Sequence, residues 1–216
     1  MTHVADTTPY PWPWDGRLPR ERTALVVTGC DPASIGAASV TPEVGANLSR
    51  LRAVVDHAFT ISHRLHLRRP LAPAGEPGVF DIGRLDAVAL DAAGIDGFFG
   101  SPLDATLRSL DLDRLLVAGF GLETTVHSTL RSANDAGLEC LVVVDACAPV
   151  DPDLVTNAVS MIEMSGGIFG AVGRTDDVVA ALAAAASESP AAHHTNAPPT
   201  NDTAPTGATT STEATL

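Results

Sequence analysis

The sequence LLVAGFGLETTVHST, residues 115–129, decides the fold of this chain. It begins with apolar residues typical of a strand buried on both faces. Gly119 and Gly121 then predict a turn, and a helical pattern starts at Thr124. Open α/β sheets bind ligands at the carboxyl ends of their strands, where a helix N-terminus also offers unpaired N–H groups. We therefore expect a site in this turn, with Thr125 in the first turn of the helix.

Strand and helix patterns alternate along most of the remaining sequence. Thr23–Thr28 and Cys140–Val144 are continuous apolar runs like the one at 115–119, and shorter runs are predicted as strands at Ala58–Ile61, Ala87–Leu90 and Ile168–Val172. Helical patterns follow Thr41-Pro42, Ser101-Pro102, Thr124, Asp151-Pro152 and Thr175, most of them with a cap residue or an N-terminal proline. This alternation predicts an α/β fold of three α/β/α layers around a mainly parallel sheet of about six strands.

The composition divides the chain into three parts. Residues 1–21 are polar and rich in proline, so we expect an extended N-terminal arm, with Trp12 and Trp14 packed on the domain or on a neighbouring subunit. Residues 22–186 form the α/β domain. Residues 187–216 are dominated by Thr, Ala, Pro, Asn and Ser, which predicts a disordered tail. Residues 70–84 hold several Pro and Gly residues and are predicted as a long surface loop.

The charge and the cysteine content indicate which binding partners and which cellular compartment to expect. The net charge is −13 and the isoelectric point about 4.7, so we expect no binding to nucleic acid or to anionic membranes. There is no apolar run of about 18 residues and no secretory leader pattern at the start. The three cysteines, Cys30, Cys140 and Cys147, lack CxxC spacing. Free thiols in the cytoplasm are the expectation.

Five stretches, in consistent order over residues 9–186, resemble the isochorismatase-like cysteine hydrolase superfamily. The similarity is closest to its branch of biuret amidohydrolases and N-carbamoyl amide hydrolases. The stretches are Tyr10–Gly16, Thr23–Val27, Phe98–Ser101, Val126–Asp135 and Met164–Val172. The resemblance implies a Rossmann-like fold, assembly into dimers or tetramers, and hydrolysis of C–N bonds through an Asp–Lys–Cys triad.

The resemblance assigns the three triad positions to residues that cannot perform the chemistry. The aspartate position falls on Gly29, the lysine position on Ala92 and the cysteine position on Thr125, and the whole chain contains no lysine. In the superfamily the thiolate attacks the amide carbonyl, the carboxylate moves the proton and the lysine holds the thiolate charge. Loss of a triad nucleophile costs on the order of 10⁶ in turnover. The substitutions argue against the covalent mechanism.

Other residues near these positions offer the elements of a rebuilt site. Cys30, Asp31 and His127 could form one, whereas the alternative makes Cys30 a small apolar filler and His127 a packing residue. Asp91, Asp96 and Glu123 also flank the triad positions. His63 and His66 could bind a metal, but no Asp-x-His pattern accompanies them, so a solvated loop is favoured. We expect no metal and no cofactor.

The sequence leaves three functional hypotheses. The first is a non-catalytic homologue, a pseudoenzyme that acts as a partner subunit or binds a small carbamoyl or amide ligand. The second is a hydrolase acting on amide or ureido bonds, with Cys30 or Thr125 as the nucleophile of a rebuilt site. The third is a structural oligomer component. We expect a homo-oligomer, or a hetero-oligomer with an active homologue.

Overall fold

The computed structural model describes residues 1–64 and 81–188. Its core is a six-stranded parallel sheet in the order β3-β2-β1-β4-β5-β6. The strands are β1 (Thr23–Thr28), β2 (His57–His63), β3 (Val88–Ala92), β4 (Arg114–Phe120), β5 (Glu139–Ala148) and β6 (Ala171–Gly173). The predicted fold class is confirmed.

In the described ranges, six α-helices pack around the sheet, and helices and sheet together form three layers. The helices are α1 (Pro32–Ala37), α2 (Pro42–Val54), α3 (Leu103–Ser109), α4 (His127–Asp135), α5 (Val155–Glu163) and α6 (Thr175–Glu188). The helices α2 and α6 pack on each other and on β5, and α4 also packs on β5. Short 3₁₀ turns lie at Arg20–Arg22, Ile82–Leu85 and Pro152–Leu154, and a π-helical turn spans Leu122–Val126.

The central strands form as predicted because their residues are apolar throughout. Every residue of β1 and β4 is buried, as expected for parallel strands with helices on both faces. The two strands pair in register from Thr23 opposite Arg114 to Thr28 opposite Gly119. This pairing brings their carboxyl ends side by side, which is where the candidate site was expected.

Some predicted boundaries were wrong. The last strand is Ala171–Gly173 rather than Ile168–Val172, because the turn around Gly166 and Gly167 continues through Ile168, whose side chain is exposed. Helix α1 was not predicted. Thr41 precedes α2, but its side chain makes no capping hydrogen bond. The predicted loop at 70–84 and the predicted tail fall mostly at 65–80 and 189–216, outside the described residues.

The N-terminal arm packs one of its two tryptophans into the core. Trp12 is fully buried, and the backbone around it is held by a hydrogen bond of 2.7 Å from the Val4 N–H to the Trp12 carbonyl. Thr8 forms an isolated antiparallel bridge with Val172 of β6. Trp14 is 75% exposed. The expectation that tryptophans pack on the domain holds for Trp12, while Trp14 lies at the surface because its segment turns outward.

Within residues 1–64 and 81–188, no helix combines the length and the apolar character needed to cross a membrane.

Candidate functional site

The candidate site lies at the carboxyl edge of the sheet, where β1 and β4 end. Strand β4 runs directly into the π-helical turn Leu122–Val126, whose Val126 N–H reaches back to the carbonyl of Gly121 at 3.1 Å. π-Helical turns are rare and are frequent at functional sites. The turn delivers Thr125 to the position that the sequence predicted, at the start of the helical segment.

The hydroxyl of Thr125 is already used in a hydrogen bond to the backbone at the end of β4. Thr125 is 2% exposed, and its hydroxyl donates to the carbonyl of Phe120 at 2.5 Å. No base among the described residues accepts its proton. A hydroxyl in this arrangement keeps the high pKa of an alcohol and is not activated for attack.

Gly29 lies directly against Thr125 and has no room for a side chain. Its φ is +73°, and a Cβ placed there would lie 2.1 Å from the carbonyl oxygen of Phe120 and 3.0 Å from the hydroxyl of Thr125. Real Cβ atoms do not approach backbone this closely. The structure therefore brings together the positions that the resemblance assigns to the aspartate and the cysteine, and leaves no space for a carboxylate between them.

Ala92 ends β3, at the same edge of the sheet but further away. Its side chain is fully buried, and β2 and β1 lie between β3 and β4 in the sheet. The methyl group of Ala92 can neither stabilise the negative charge of a thiolate nor transfer a proton. The three positions share an edge, and Gly29 and Thr125 lie in contact there.

Cys30 and Asp31 follow β1, and both have local partners. The Cys30 thiol is buried and donates to the carbonyl of Val27 at 3.2 Å. Burial raises its pKa to about 12, and the nearby charge of Asp31 adds to this rise. Asp31 caps helix α1 by accepting from the backbone N–H of Ser34 at 2.9 Å and from its hydroxyl at 2.7 Å.

His127 faces helix α5 rather than the edge of the sheet. Its Nε2 donates to the carbonyl of Ala158 at 3.1 Å, and its Nδ1 accepts from Arg131 at 3.4 Å. Burial lowers its pKa, and the charge of Arg131 lowers it further. Across the described ranges, no hydrogen bond joins Cys30, Asp31 and His127 to one another, although all three were predicted as candidates for a rebuilt site.

The acidic residues that flank the triad positions also have structural partners. Glu123 accepts from the backbone N–H groups of Val150 at 3.1 Å and Asp151 at 2.6 Å. These hydrogen bonds attach the segment after β5 to the π-helical turn. Asp91 pairs with Arg64. Asp96 accepts from the backbone of Phe98 at 2.7 Å. These contacts hold loops in place.

The sequence reasoning missed a buried polar network around His63. This residue was expected in a solvated loop, which is wrong, since it ends β2 and is 6% exposed. Its Nδ1 donates to the carbonyl of Gly94 at 2.8 Å, so Nε2 of the neutral ring accepts from the hydroxyl of Thr28 at 2.7 Å. The sequence did contain a signal for this network, since polar Thr28 and His63 each end an apolar strand, β1 and β2.

The network continues from Thr28 to helix α4 and the loop after β3. The hydroxyls of Thr28 and Thr129 lie 3.3 Å apart, and the Thr129 oxygen accepts from the backbone N–H of Gly97 at 2.9 Å. One chain of hydrogen bonds thus ties two strand ends, a helix and a loop together. It needs a neutral His63, because a protonated ring could not accept from Thr28.

Acidification is expected to destabilise the protein through His63. Burial lowers its pKa, and Asp31, Asp96 and the Gly94 carbonyl oppose that effect without reversing it. The unfolded chain, with a histidine pKa near 6.5, then binds the proton more readily than the folded one. The stability present above pH 6.5 should fall on acidification, by up to about 1.4 kcal/mol per pH unit for this one group.

Urea unfolding between pH 7.5 and pH 5.5 measures this slope, and NMR titration of the ring tests its origin. The His63→Gln variant identifies the ring signal and should show a smaller slope. A His63 ring that titrates at or above 6.5 would contradict the explanation.

No metal centre is evident in the part of the chain that the structure describes. No group of three or more His, Cys, Asp or Glu side chains there is placed to hold an ion. His66 lies outside the described residues.

Comparisons with known proteins agree with this architecture. The isochorismatase domain family model matches residues 82–177. A cysteine hydrolase from Pseudomonas syringae pv. phaseolicola superposes with a TM-score of 0.64 at 22% identity, over 78% of this chain and 95% of that one. An isochorismatase family protein from Burkholderia thailandensis gives 0.61 at 21% identity, over 76% and 96%.

A nicotinamidase from Staphylococcus aureus gives a TM-score of 0.56 at 21% identity, over 71% of this chain and 99% of that one. These likenesses concern the fold, since identities near 20% carry no activity with them. The chain has the isochorismatase-like fold found in cysteine hydrolases, and its residues 82–177 match the isochorismatase domain.

Proposed function

We propose that this protein is a non-catalytic homologue of the isochorismatase-like cysteine hydrolases, closest to the biuret and N-carbamoyl amide branch. It acts by binding, either a small carbamoyl or amide ligand or a partner subunit. The observation that carries the proposal is the contact between Gly29 and Thr125. The buried hydroxyl of Thr125 donates to the backbone carbonyl of Phe120, and it lies against Gly29, which has no side chain.

The chemistry of amide hydrolysis supports this proposal. A cysteine hydrolase needs a thiolate, a group that transfers the proton to the leaving amine, and a cation or dipole that stabilises the thiolate. Thr125 supplies no thiolate, Gly29 no carboxylate and Ala92 no ammonium group. The helix N-terminus and the turn of β4 remain, and these features can bind a polar ligand without reacting with it.

Calorimetry with biuret and nicotinamide as probes tests the proposal. A single large injection into the protein should give a brief heat of mixing or binding that ends within the instrument response. A heat flow that continues until the compound is consumed reports turnover, and this result would contradict a non-catalytic role. An active cysteine hydrolase of the same fold serves as the positive control.

The alternative function is a C–N hydrolase with a rebuilt site around Cys30. The burial of this thiol and its pKa of about 12 count against it, since the thiolate is the nucleophile. We expect a thiol reagent at pH 7 to label Cys30 only slowly in the native protein and rapidly in urea. Peptide mapping by mass spectrometry distinguishes it from Cys140 and Cys147. Fast native labelling of Cys30 alone would favour the rebuilt site.

Assembly is a further part of the proposal. We propose a homo-oligomer or a hetero-oligomer with an active homologue, in the reducing cytoplasm. The three free, buried cysteines are compatible with a reducing compartment, and Trp14 offers an exposed aromatic group of a kind enriched at interfaces. Light scattering of the purified chain, alone and mixed with an active homologue, determines the assembly state.

A further inference from the structure

A surface cleft of about 490 Å³ lies at the opposite edge of the sheet from Thr125. Its walls include Tyr10 and Trp14 of the N-terminal arm, Glu139 at the start of β5, and the turn Gly166–Ile168 after helix α5. Because Glu139 begins its strand, the cleft is at the amino edge of the sheet. None of the residues assigned to the candidate site contributes to it.

Two aromatic rings form a corner in this cleft. The centroids of Tyr10 and Trp14 lie 5.4 Å apart with the ring planes at 64°. Tyr10 is fixed by the turn beside it, since a Cβ on Gly167 would lie only 3.1 Å from its ring. Trp14 is 75% exposed, so its indole is available to a ligand. The faces of such rings carry negative electrostatic potential and attract cations.

The carboxylate of Glu139 lies beside these rings, and one of its two oxygens accepts no hydrogen bond within the described residues. Glu139 Oε1 accepts from the backbone N–H of Trp14 at 2.5 Å. Among residues 1–64 and 81–188, no group donates to its Oε2. Burial raises the pKa of Glu139, and the charges of Asp15 and Asp113 also raise it. The side chain is half-buried and sits in an environment that disfavours its negative charge.

Arg114, the cation that acts on Glu139, is already engaged by other carboxylates. Arg114 bridges Asp15 at 2.8 Å and Asp113 at 2.6 Å. Arg22 also pairs with Asp113, at 2.6 Å. Arg114 lowers the pKa of Glu139 without overcoming its burial. A cation placed in the cleft would add positive charge beside a carboxylate whose burial Arg114 only partly compensates.

We propose that this cleft binds an organic ammonium ion, with the cation against the exposed ring of Trp14, which the buried Tyr10 supports, and its charge balanced by Glu139. The chain contains no lysine, so the N-terminal amine is the one ammonium group that a second copy could offer, and the ligand that we propose is a small molecule. The site is independent of the carboxyl edge and of whether the protein is catalytic.

Fluorescence titration with choline as the probe tests the site. Trp14 at the surface should respond, while the buried Trp12 should give a constant background. We expect saturable binding with a dissociation constant in the millimolar range or below, at constant ionic strength. The neutral alcohol 3,3-dimethylbutan-1-ol has nearly the same shape without the charge, and it should bind at least tenfold more weakly.

The Glu139→Gln variant separates charge from shape. Its amide oxygen can still accept from Trp14, so the fold of the arm should persist, as checked by circular dichroism and thermal unfolding. We expect choline to bind it at least tenfold more weakly and the neutral alcohol to bind unchanged. Asp153→Asn, which removes an exposed carboxylate elsewhere, should leave both affinities unchanged. Equal affinity for choline and the alcohol, equal weakening by both variants, or no saturation up to 100 mM choline would overturn the proposal.

Discussion

Replacing Gly29 with alanine is expected to lower the free energy of unfolding by about 3–5 kcal/mol. Two causes act together at this residue. Its φ of +73° is unfavourable for any residue with a Cβ, and that Cβ would lie 2.1 Å from the carbonyl oxygen of Phe120. The carbonyl belongs to the end of β4, so it cannot move without disturbing the sheet. Urea unfolding followed by circular dichroism measures the loss.

Gly137→Ala is the matched control for this variant. Gly137 also has a positive φ, +81°, but nothing lies within 4 Å of a Cβ built there. It should lose only about 1–2 kcal/mol, the cost of the backbone conformation alone. If the two variants lose the same stability, the close contact between Gly29 and Phe120 is not real. In that case a carboxylate at residue 29 could be accommodated after all.

Trp12→Ala is expected to cost about 3–5 kcal/mol, as large-to-small changes of buried tryptophans do. The ring is fully buried, and the arm that carries it is joined to the domain through the backbone hydrogen bonds of Thr8 with Val172 and through the burial of Val4. Its loss should leave a cavity and loosen residues 1–16 together. Thermal or urea unfolding measures the change, and limited proteolysis reports whether the arm is released.

Trp14→Ala provides the comparison within the same motif. Its ring is 75% exposed, so the change should stay within about 0.5 kcal/mol of the original stability. A small effect of Trp12→Ala, or a large effect of Trp14→Ala, would contradict the packing described for the arm.

These two tryptophans illustrate what sequence alone can and cannot predict. Both lie between prolines or beside them, and both are apolar enough to be expected in contact with protein. Their separation into a core residue and a surface residue depends on how the arm turns, which no periodicity encodes. The strands β1 and β4 were predictable because continuous apolar runs of this length, bounded by turn residues, admit few other structures.

Strand β6 was misplaced for a related reason. Ile168 and Phe169 look like strand residues, but Gly166 and Gly167 begin a turn that continues past them. Tertiary contacts, including the cation–π contact of Arg131 with Phe169 at 3.9 Å, decide where these side chains lie. Local propensity cannot report such contacts.

The candidate site was only partly predictable. The strand–turn–helix pattern located Thr125, and the order of the sheet brings Gly29 beside it. The partners of the polar side chains could not be read from the sequence. The hydroxyl of Thr125 donates to a backbone carbonyl and His63 joins a buried network, and both contacts arise from the folding of distant segments onto the same edge.

Ammonia release tests the central claim most directly, because it asks whether the arrangement at Gly29 and Thr125 can hydrolyse an amide at all. Biuret, ureidoacrylate, nicotinamide and an N-carbamoyl amide are incubated with the purified chain, and ammonia is followed over time against an active cysteine hydrolase. We expect no release above the protein-free blank from any of the four. Turnover of about 1 s⁻¹ or faster, which is typical of real enzymes, would contradict a non-catalytic role.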